Sequence, residues 1–125
     1  MEDKNSVSLW LGNIKNQTEL EDYIDCTYTE EGDFICSKFC SDFKIDSYEI
    51  DEDFIERYVL EKGSNSINEL LEGCSYYENI IPKFKKYIGT NKFYNTVVLI
   101  YNFKYENSIK HSNKLDYIGC VSYED

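Results

Sequence analysis

The chain contains few of the residues that common catalytic and nucleic-acid-binding sites require. Its 125 residues include one histidine, His111, and by count one arginine, Arg57, against 12 lysines. A Cys–His or Ser–His nucleophilic site would have to use His111, which has no acid closer along the chain than Glu106. We interpret His111 as a solvent-exposed loop residue. Basic residues cluster only in the segment "KFKK", so nucleic-acid binding is not expected.

Cysteine occurs five times, an odd number, and without CxxC spacing. A zinc site would need four ligands, and the cysteines at positions 26, 36, 40 and 74 match the spacing of no zinc finger or ribbon. We therefore interpret the cysteines as reduced, mostly buried thiols, and we expect no metal and no other cofactor.

Long apolar runs are also missing. The longest, "TVVLIY" at residues 96–101, is far too short to cross a bilayer. The N-terminal segment "MEDKNS" is acidic and polar, unlike the basic start and apolar run of a signal peptide. These features predict a cytoplasmic protein that does not contact membranes.

Negative charge is in excess, and the excess is confined to the first half of the chain. The net charge is −11; residues 1–60 hold 16 acids and 5 bases, whereas residues 61–125 hold 8 of each. An acidic half repels nucleic-acid phosphates and anionic membranes, and it attracts basic protein surfaces and accelerates encounter with them. Solubility is the alternative explanation.

Hydrophobic patterning predicts four strands and four helices, in the order strand, helix, helix, strand, helix, helix, strand, strand. The strands are expected over residues 7–12, 53–61, 96–105 and 115–123. The helices are expected over residues 18–24, 38–43, 67–71 and 76–88. The second strand segment also suits a helix, and its β-branched content favours a strand.

Capping residues indicate where the helices begin. Ser37 can cap the second helix. Three Ser/Thr–Glu pairs predict capping boxes: Thr18 with Glu21, Ser66 with Glu69, and Ser75 with Glu78. Pro82 conflicts with the third box, because proline disrupts helix interiors. The last helix therefore either bends at Pro82 or begins near Asn79.

Together these elements predict an α+β fold, a single domain over residues 7–123 preceded by a disordered N-terminus at residues 1–6. We expect a mostly antiparallel sheet of three to five strands with helices packed on one face. The last two strands are expected to pair through a long loop. Trp10, between two leucines, is assigned to the core, and Gly12 to the end of the first strand.

An acidic segment, "DSYEIDEDFIERY" at residues 46–58, combines six acids with one base. A calcium-binding EF-hand would need glycine at the sixth loop position, but counted from Asp51 that position is Glu56. Two acids could act in glycoside hydrolysis, although nothing in the pattern selects a pair. We therefore predict no catalytic residues. Aromatic residues are interleaved with the acids, which suits a protein-binding face, and a core role for them is the alternative.

Six segments, taken in order, resemble the immunity protein 22 family of bacterial polymorphic toxin systems. They are "VSLWLGN", "EEGDF", "SKFCSDF", "YEIDEDFIE", "LLEGCSYYENII" and "VVLIYNF", within residues 7–123. The resemblance implies an α+β fold with a characteristic tryptophan, here Trp10. It also implies a non-enzymatic protein, encoded beside a toxin gene, that binds and neutralises a cognate protein toxin, often a nuclease.

An acidic inhibitor can occupy the basic cleft of a nuclease, so the resemblance and the charge together predict a toxin-binding surface. Its expected residues are Glu30, Glu31, Asp33, Asp46, Tyr48, Glu49, Asp51, Glu52 and Asp53. The alternatives are an acidic adaptor or regulatory domain for another cellular protein, a small hydrolase, and a calcium-binding module.

Overall fold

A computed structural model describes residues 5–25, 27–28, 30–32, 34–35, 37–45, 54–87 and 92–123. The strands are β1 (Ser6–Gly12), β2 (Thr27–Tyr28), β3 (Phe34–Ile35), β4 (Ile55–Ser64), β5 (Tyr94–Tyr101) and β6 (Leu115–Ser122). The helices are α1 (Gln17–Ile24), α2 (Lys38–Phe43), α3 (Ile67–Leu71) and α4 (Tyr77–Phe84), which continues as a 3₁₀ turn over Lys85–Tyr87. No helix in these ranges is long and apolar enough to cross a membrane.

The main sheet is antiparallel and has the strand order β4-β5-β1-β6. The predicted pairing of the last two strands is wrong, because β1 lies between them, with Leu9 opposite both Leu99 of β5 and Gly119 of β6. β1 is buried on both faces, and such a strand is most stable inside a sheet whose two faces are covered. The strand predicted over residues 53–61 is confirmed as β4.

Helices pack on both faces of this sheet. On one face Leu9 and Leu11 of β1 join α3 and α4 in a core cluster, and on the other Trp10 joins α1 and α2. β5 alternates in the same way, with Leu99 in the first cluster and Ile100 in the second. The α+β class and the antiparallel sheet are confirmed, but the prediction of helices on one face is corrected: two-sided apolar strands need cover on both sides.

Trp10 is the centre of the second cluster and is fully buried. Its ring centroid lies 5.1 Å from those of Phe39 and Tyr117 and 5.3 Å from that of Tyr105. Its indole Nε1 has no hydrogen-bond partner among the described residues, so packing alone holds it. Gly12 ends the strand where a β-carbon would collide with the carbonyl oxygen of Lys114.

The first two helices begin at different kinds of cap. Ser37 caps α2 as predicted, and its hydroxyl accepts a hydrogen bond from the amide of Cys40. α1 instead begins at Gln17, and the side chain of Asn16 caps it by accepting from the amide of Glu19. The predicted capping box at Thr18 is therefore wrong, because Thr18 is already inside the helix.

The later helices also depart from their predicted caps. α3 follows Ser66, but that side chain makes no capping hydrogen bond. α4 begins at Tyr77, and its cap residue is Tyr76 rather than Ser75, so the third capping box is wrong as well. Pro82 lies inside α4, in its second turn, which is later than a start near Asn79 would have placed it.

A second, two-stranded sheet was not predicted. β2 and β3 pair antiparallel around a turn that contains Gly32 at φ +90°. Glycine adopts this conformation without the steric cost that other residues incur. Glu30 and Glu31, two of the residues predicted to bind a toxin, lie at the turn of this hairpin.

Candidate protein-binding surface

Glu56 and Arg57, near the end of the acidic segment, lie in the described part of the chain, and both bind other residues of the protein. One carboxylate oxygen of Glu56 accepts hydrogen bonds from the Ser75 amide at 2.8 Å and the Tyr101 hydroxyl at 2.9 Å. The other accepts from the Ser75 hydroxyl at 2.6 Å. Glu56 therefore fastens the turn between α3 and α4 to the sheet, and it explains why Ser75 does not cap α4.

Arg57, the next residue, makes a corresponding attachment on the opposite face. Its Nη2 donates to Glu21 at 3.0 Å and to Asp25 at 2.8 Å, which holds α1 against β4. The hydrogen bond from Arg57 is the main cause of a lowered pKa at Glu21. In addition, the Gln17 side-chain amide donates to the Arg57 carbonyl and accepts from the Val59 amide, so it occupies part of the outer edge of β4.

Two of the predicted toxin-binding residues lie within the described part of the chain. Glu30 and Glu31 are both exposed, next to Gly32 in the turn of the β2–β3 hairpin. The other seven fall outside the described residues: Asp33, Asp46, Tyr48, Glu49, Asp51, Glu52 and Asp53.

The interleaved aromatic residues divide between core and surface. Tyr23 and Phe43 are buried in the cluster around Trp10, as the core interpretation expected. Tyr58 is half-buried and donates to the Leu70 carbonyl at 2.6 Å. Phe54, which immediately precedes β4, is exposed. Of these four residues, only Phe54 is available to a partner as an anchor.

A second acidic and aromatic surface lies at α3 and α4, outside the predicted set. Tyr76 and Tyr77 are 41% and 42% exposed. Beside them is an open groove of about 390 Å³, lined by Asn68, Glu69, Glu72, Tyr77 and Ile81. We call these five residues the α3–α4 groove. The paired tyrosines and flanking acids of the segment "LLEGCSYYENII" are the sequence feature that points to this surface, but periodicity alone does not show which of them face solvent.

The single histidine belongs to a polar network rather than to a catalytic triad. His111 Nδ1 lies 2.9 Å from one carboxylate oxygen of Asp116, and Lys92 and the Tyr94 hydroxyl donate to the other at 2.8 and 3.0 Å. Burial by itself would raise the pKa of Asp116, but these hydrogen bonds outweigh it and lower the pKa. The neighbouring Ser112 hydroxyl accepts from the Leu115 amide, so the network fixes the loop before β6.

Of the three thiols in the described ranges, two lie in the core and the third, Cys120, is half-buried. Cys40 and Cys74 are buried, and burial is the main cause that raises the pKa of the Cys74 thiol to about 12. Cys26 and Cys36 lie outside the described residues. Within the described ranges, no group of three or more His, Cys, Asp or Glu residues is placed to hold a metal ion.

The fold and this surface define an acidic α+β domain with exposed carboxylates and tyrosines. The sequence profile of the family described as Immunity protein 22 matches residues 7–124, which is nearly the whole chain. The chain therefore belongs to the Immunity protein 22 family, and this membership indicates a toxin-neutralising role. Searches among curated proteins and among solved structures found no match.

Proposed function

We propose that this protein binds and neutralises a cognate protein toxin, encoded by a neighbouring gene, in the cytoplasm of the cell that makes both. Membership in an immunity-protein family supports this role. We further propose that the toxin is a nuclease. The observation that carries this step is the net charge of −11, all of it within residues 1–60, because a nuclease exposes a basic cleft for phosphates.

The proposed toxin-facing surface combines two acidic parts. One is the hairpin turn, where Glu30 and Glu31 are exposed, together with Asp33. The other is the part of the acidic segment that precedes β4: Asp46, Tyr48, Glu49, Asp51, Glu52 and Asp53. Acids at such a surface accelerate encounter with a basic cleft, and a protein seated there excludes the nucleic-acid substrate.

Glu56 and Arg57 are not part of the proposed surface, although they belong to the same sequence segment. The carboxylate of Glu56 already accepts three hydrogen bonds, and Arg57 already holds Glu21 and Asp25. Replacing either residue would disturb the fold before it disturbed a contact with the toxin. Tests of binding should therefore leave both residues unchanged.

The test is co-expression with the C-terminal domain of the large protein encoded next to this gene, scored by cell survival and by pull-down. We expect survival and a complex that weakens at high salt, because charge steering is screened. Survival with a complex that is insensitive to salt would contradict the acidic surface but not the immunity role. Cell death without a complex would contradict the immunity role and favour an adaptor for another protein.

A charge-reversal variant locates the surface. Reversing Asp51, Glu52 and Asp53 to lysine should slow association at least about 10-fold at low salt, since steering acts mainly on the association rate. The matched control reverses three exposed acids elsewhere, D22K/E61K/E106K, and changes the net charge equally. Equal slowing in both variants, or unchanged association in the first, would contradict the proposed surface.

A further inference from the structure

The α3–α4 groove combines an apolar floor with an acidic rim. Ile81 and the Tyr77 ring form its apolar part, Glu69 and Glu72 stand at its rim, and no cationic side chain of the described residues lines it. Its volume of about 390 Å³ accommodates one large side chain or a short turn of a partner. A cation with an apolar stem matches both features, because the stem covers the floor while the charge meets the carboxylates.

The turn that presents this groove is held in an unusual backbone conformation. Tyr76 has φ 60° and ψ 25°, a left-handed conformation that is uncommon for a bulky residue. Its ring lies 4.7 Å from the ring of Tyr123 and 6.0 Å from that of Tyr101, and such contacts offset the backbone cost. Strain that persists because its surroundings hold it is typical of functional sites.

The same turn is also fastened from its other side. Glu56 binds both the amide and the hydroxyl of Ser75, the residue before Tyr76. Tyr77 follows directly and opens α4, and this residue is 42% exposed. A tyrosine on a turn fixed in this way loses little conformational freedom on binding, which favours it as an anchor of an interface.

The turn beside the groove is bonded to the strand that follows the acidic segment. The acidic segment ends at β4, and Glu56 at the start of β4 is bonded to Ser75 of the turn. A basic partner attracted by the net charge of −11 meets carboxylates at this groove as well. Arginine fits the groove best, because its planar guanidinium stacks on a tyrosine ring and pairs with carboxylates at the same time.

From these observations we propose that the α3–α4 groove receives an arginine side chain of the toxin, with Tyr77 stacked on the guanidinium and Glu69 and Glu72 paired with it. This inference rests on the proposed function and adds a second contact to it. The acids that precede β4 set the association rate, and the groove sets the dissociation rate.

The test compares two tyrosines of equal exposure. Tyr77→Ala removes the ring that lines the groove. Tyr87→Ala removes the ring of a residue that is also 42% exposed but lies beyond the end of α4. Dissociation of the adjacent gene's toxin domain, measured by surface plasmon resonance, should accelerate at least about 10-fold in the first variant and less than about 3-fold in the second. E69K/E72K should also accelerate dissociation, against E61K/E106K as the control of equal charge change.

The outcomes separate this inference from the proposed function. Absence of binding by the unaltered protein would overturn both. Binding by the unaltered protein, with Y77A and E69K/E72K dissociating at its rate, would overturn the groove and leave the immunity role. Sedimentation of the protein alone tests whether a second copy of the chain occupies the groove. A dimer that Y77A converts to monomers would overturn the groove as a toxin site and assign it to self-association.

Discussion

Glu56 and Arg57 are consecutive residues of β4 that hold opposite faces of the sheet. Glu56 fastens Ser75 of the α3–α4 turn on one face, and Arg57 fastens Glu21 of α1 on the other. Side chains alternate along a strand, so one peptide bond separates two attachments that serve different core clusters. The end of the most acidic segment in the chain is therefore a structural junction.

These two attachments should contribute independently to stability. We expect Glu56→Ala to lower the free energy of unfolding by about 1–3 kcal/mol, because it removes three hydrogen bonds to a charged carboxylate. Arg57→Ala should cost about 1 kcal/mol, since its ion pairs are partly exposed. The double variant should equal the sum within about 0.5 kcal/mol in urea unfolding. Glu61→Ala, exposed in the same strand, is the control, and a coupling above about 1 kcal/mol would contradict separate attachments.

The fluorescence of Trp10 should report folding, and replacing Trp10 by a smaller aromatic residue should destabilise the protein. Because it is fully buried and its Nε1 has no hydrogen-bond partner in the described part of the chain, Trp10→Phe loses packing only, about 1–3 kcal/mol. As the single tryptophan, it should show blue-shifted emission and resist acrylamide quenching until unfolding. Emission typical of a water-exposed indole in the native protein would refute the core assignment.

Acid should destabilise the fold through two carboxylates. The pKa values of Glu21 and Asp116 lie below their ordinary values of 4.5 and 3.8 in the folded protein. Each therefore adds stability that is fully present above its ordinary value and is lost as the pH falls through the lowered one. Urea midpoints from pH 7 to pH 3 should fall below about pH 4.5.

Two variants test whether Glu21 and Asp116 cause the loss of stability at low pH. Glu21→Gln should be less stable than the unaltered protein at pH 7, and part of its loss below pH 4.5 should be missing. Asp116→Asn should behave in the same way at slightly lower pH. Glu106→Gln, at an exposed position, should follow the unaltered protein throughout. Parallel curves for all four proteins would show that these carboxylates do not carry the effect.

Cys74 should be unreactive in the native protein. Burial, and after it the nearby Glu56 carboxylate, raises the pKa of the Cys74 thiol to about 12, so almost no thiolate is present at pH 8. Alkylation by iodoacetamide, followed by peptide mass spectrometry, should modify Cys74 only at the rate of unfolding. Modification of Cys74 within seconds under native conditions would contradict its position in the core.

Local signals predicted those elements whose stability depends on nearby residues. The apolar run around Trp10 predicted β1, and Ser37 with its following aromatics predicted α2. The capping prediction failed at Ser75 because its hydroxyl donates to Glu56, a carboxylate far away in the sequence. A local sequence pattern does not contain such a distant partner. Of the predicted toxin-binding residues, the structure places Glu30 and Glu31 on an exposed turn, and their role stays a prediction.

By itself, the sequence determined the α+β class, most of the strands and helices, the acidic first half and the resemblance to its family, because these depend on composition, periodicity and ordered segments. Only the tertiary structure decided that β1 separates β5 from β6, that helices cover both faces, and that Tyr77 is exposed beside a groove. The physical reason is that strand order and side-chain exposure follow from contacts between residues far apart in the chain, which local patterns leave open.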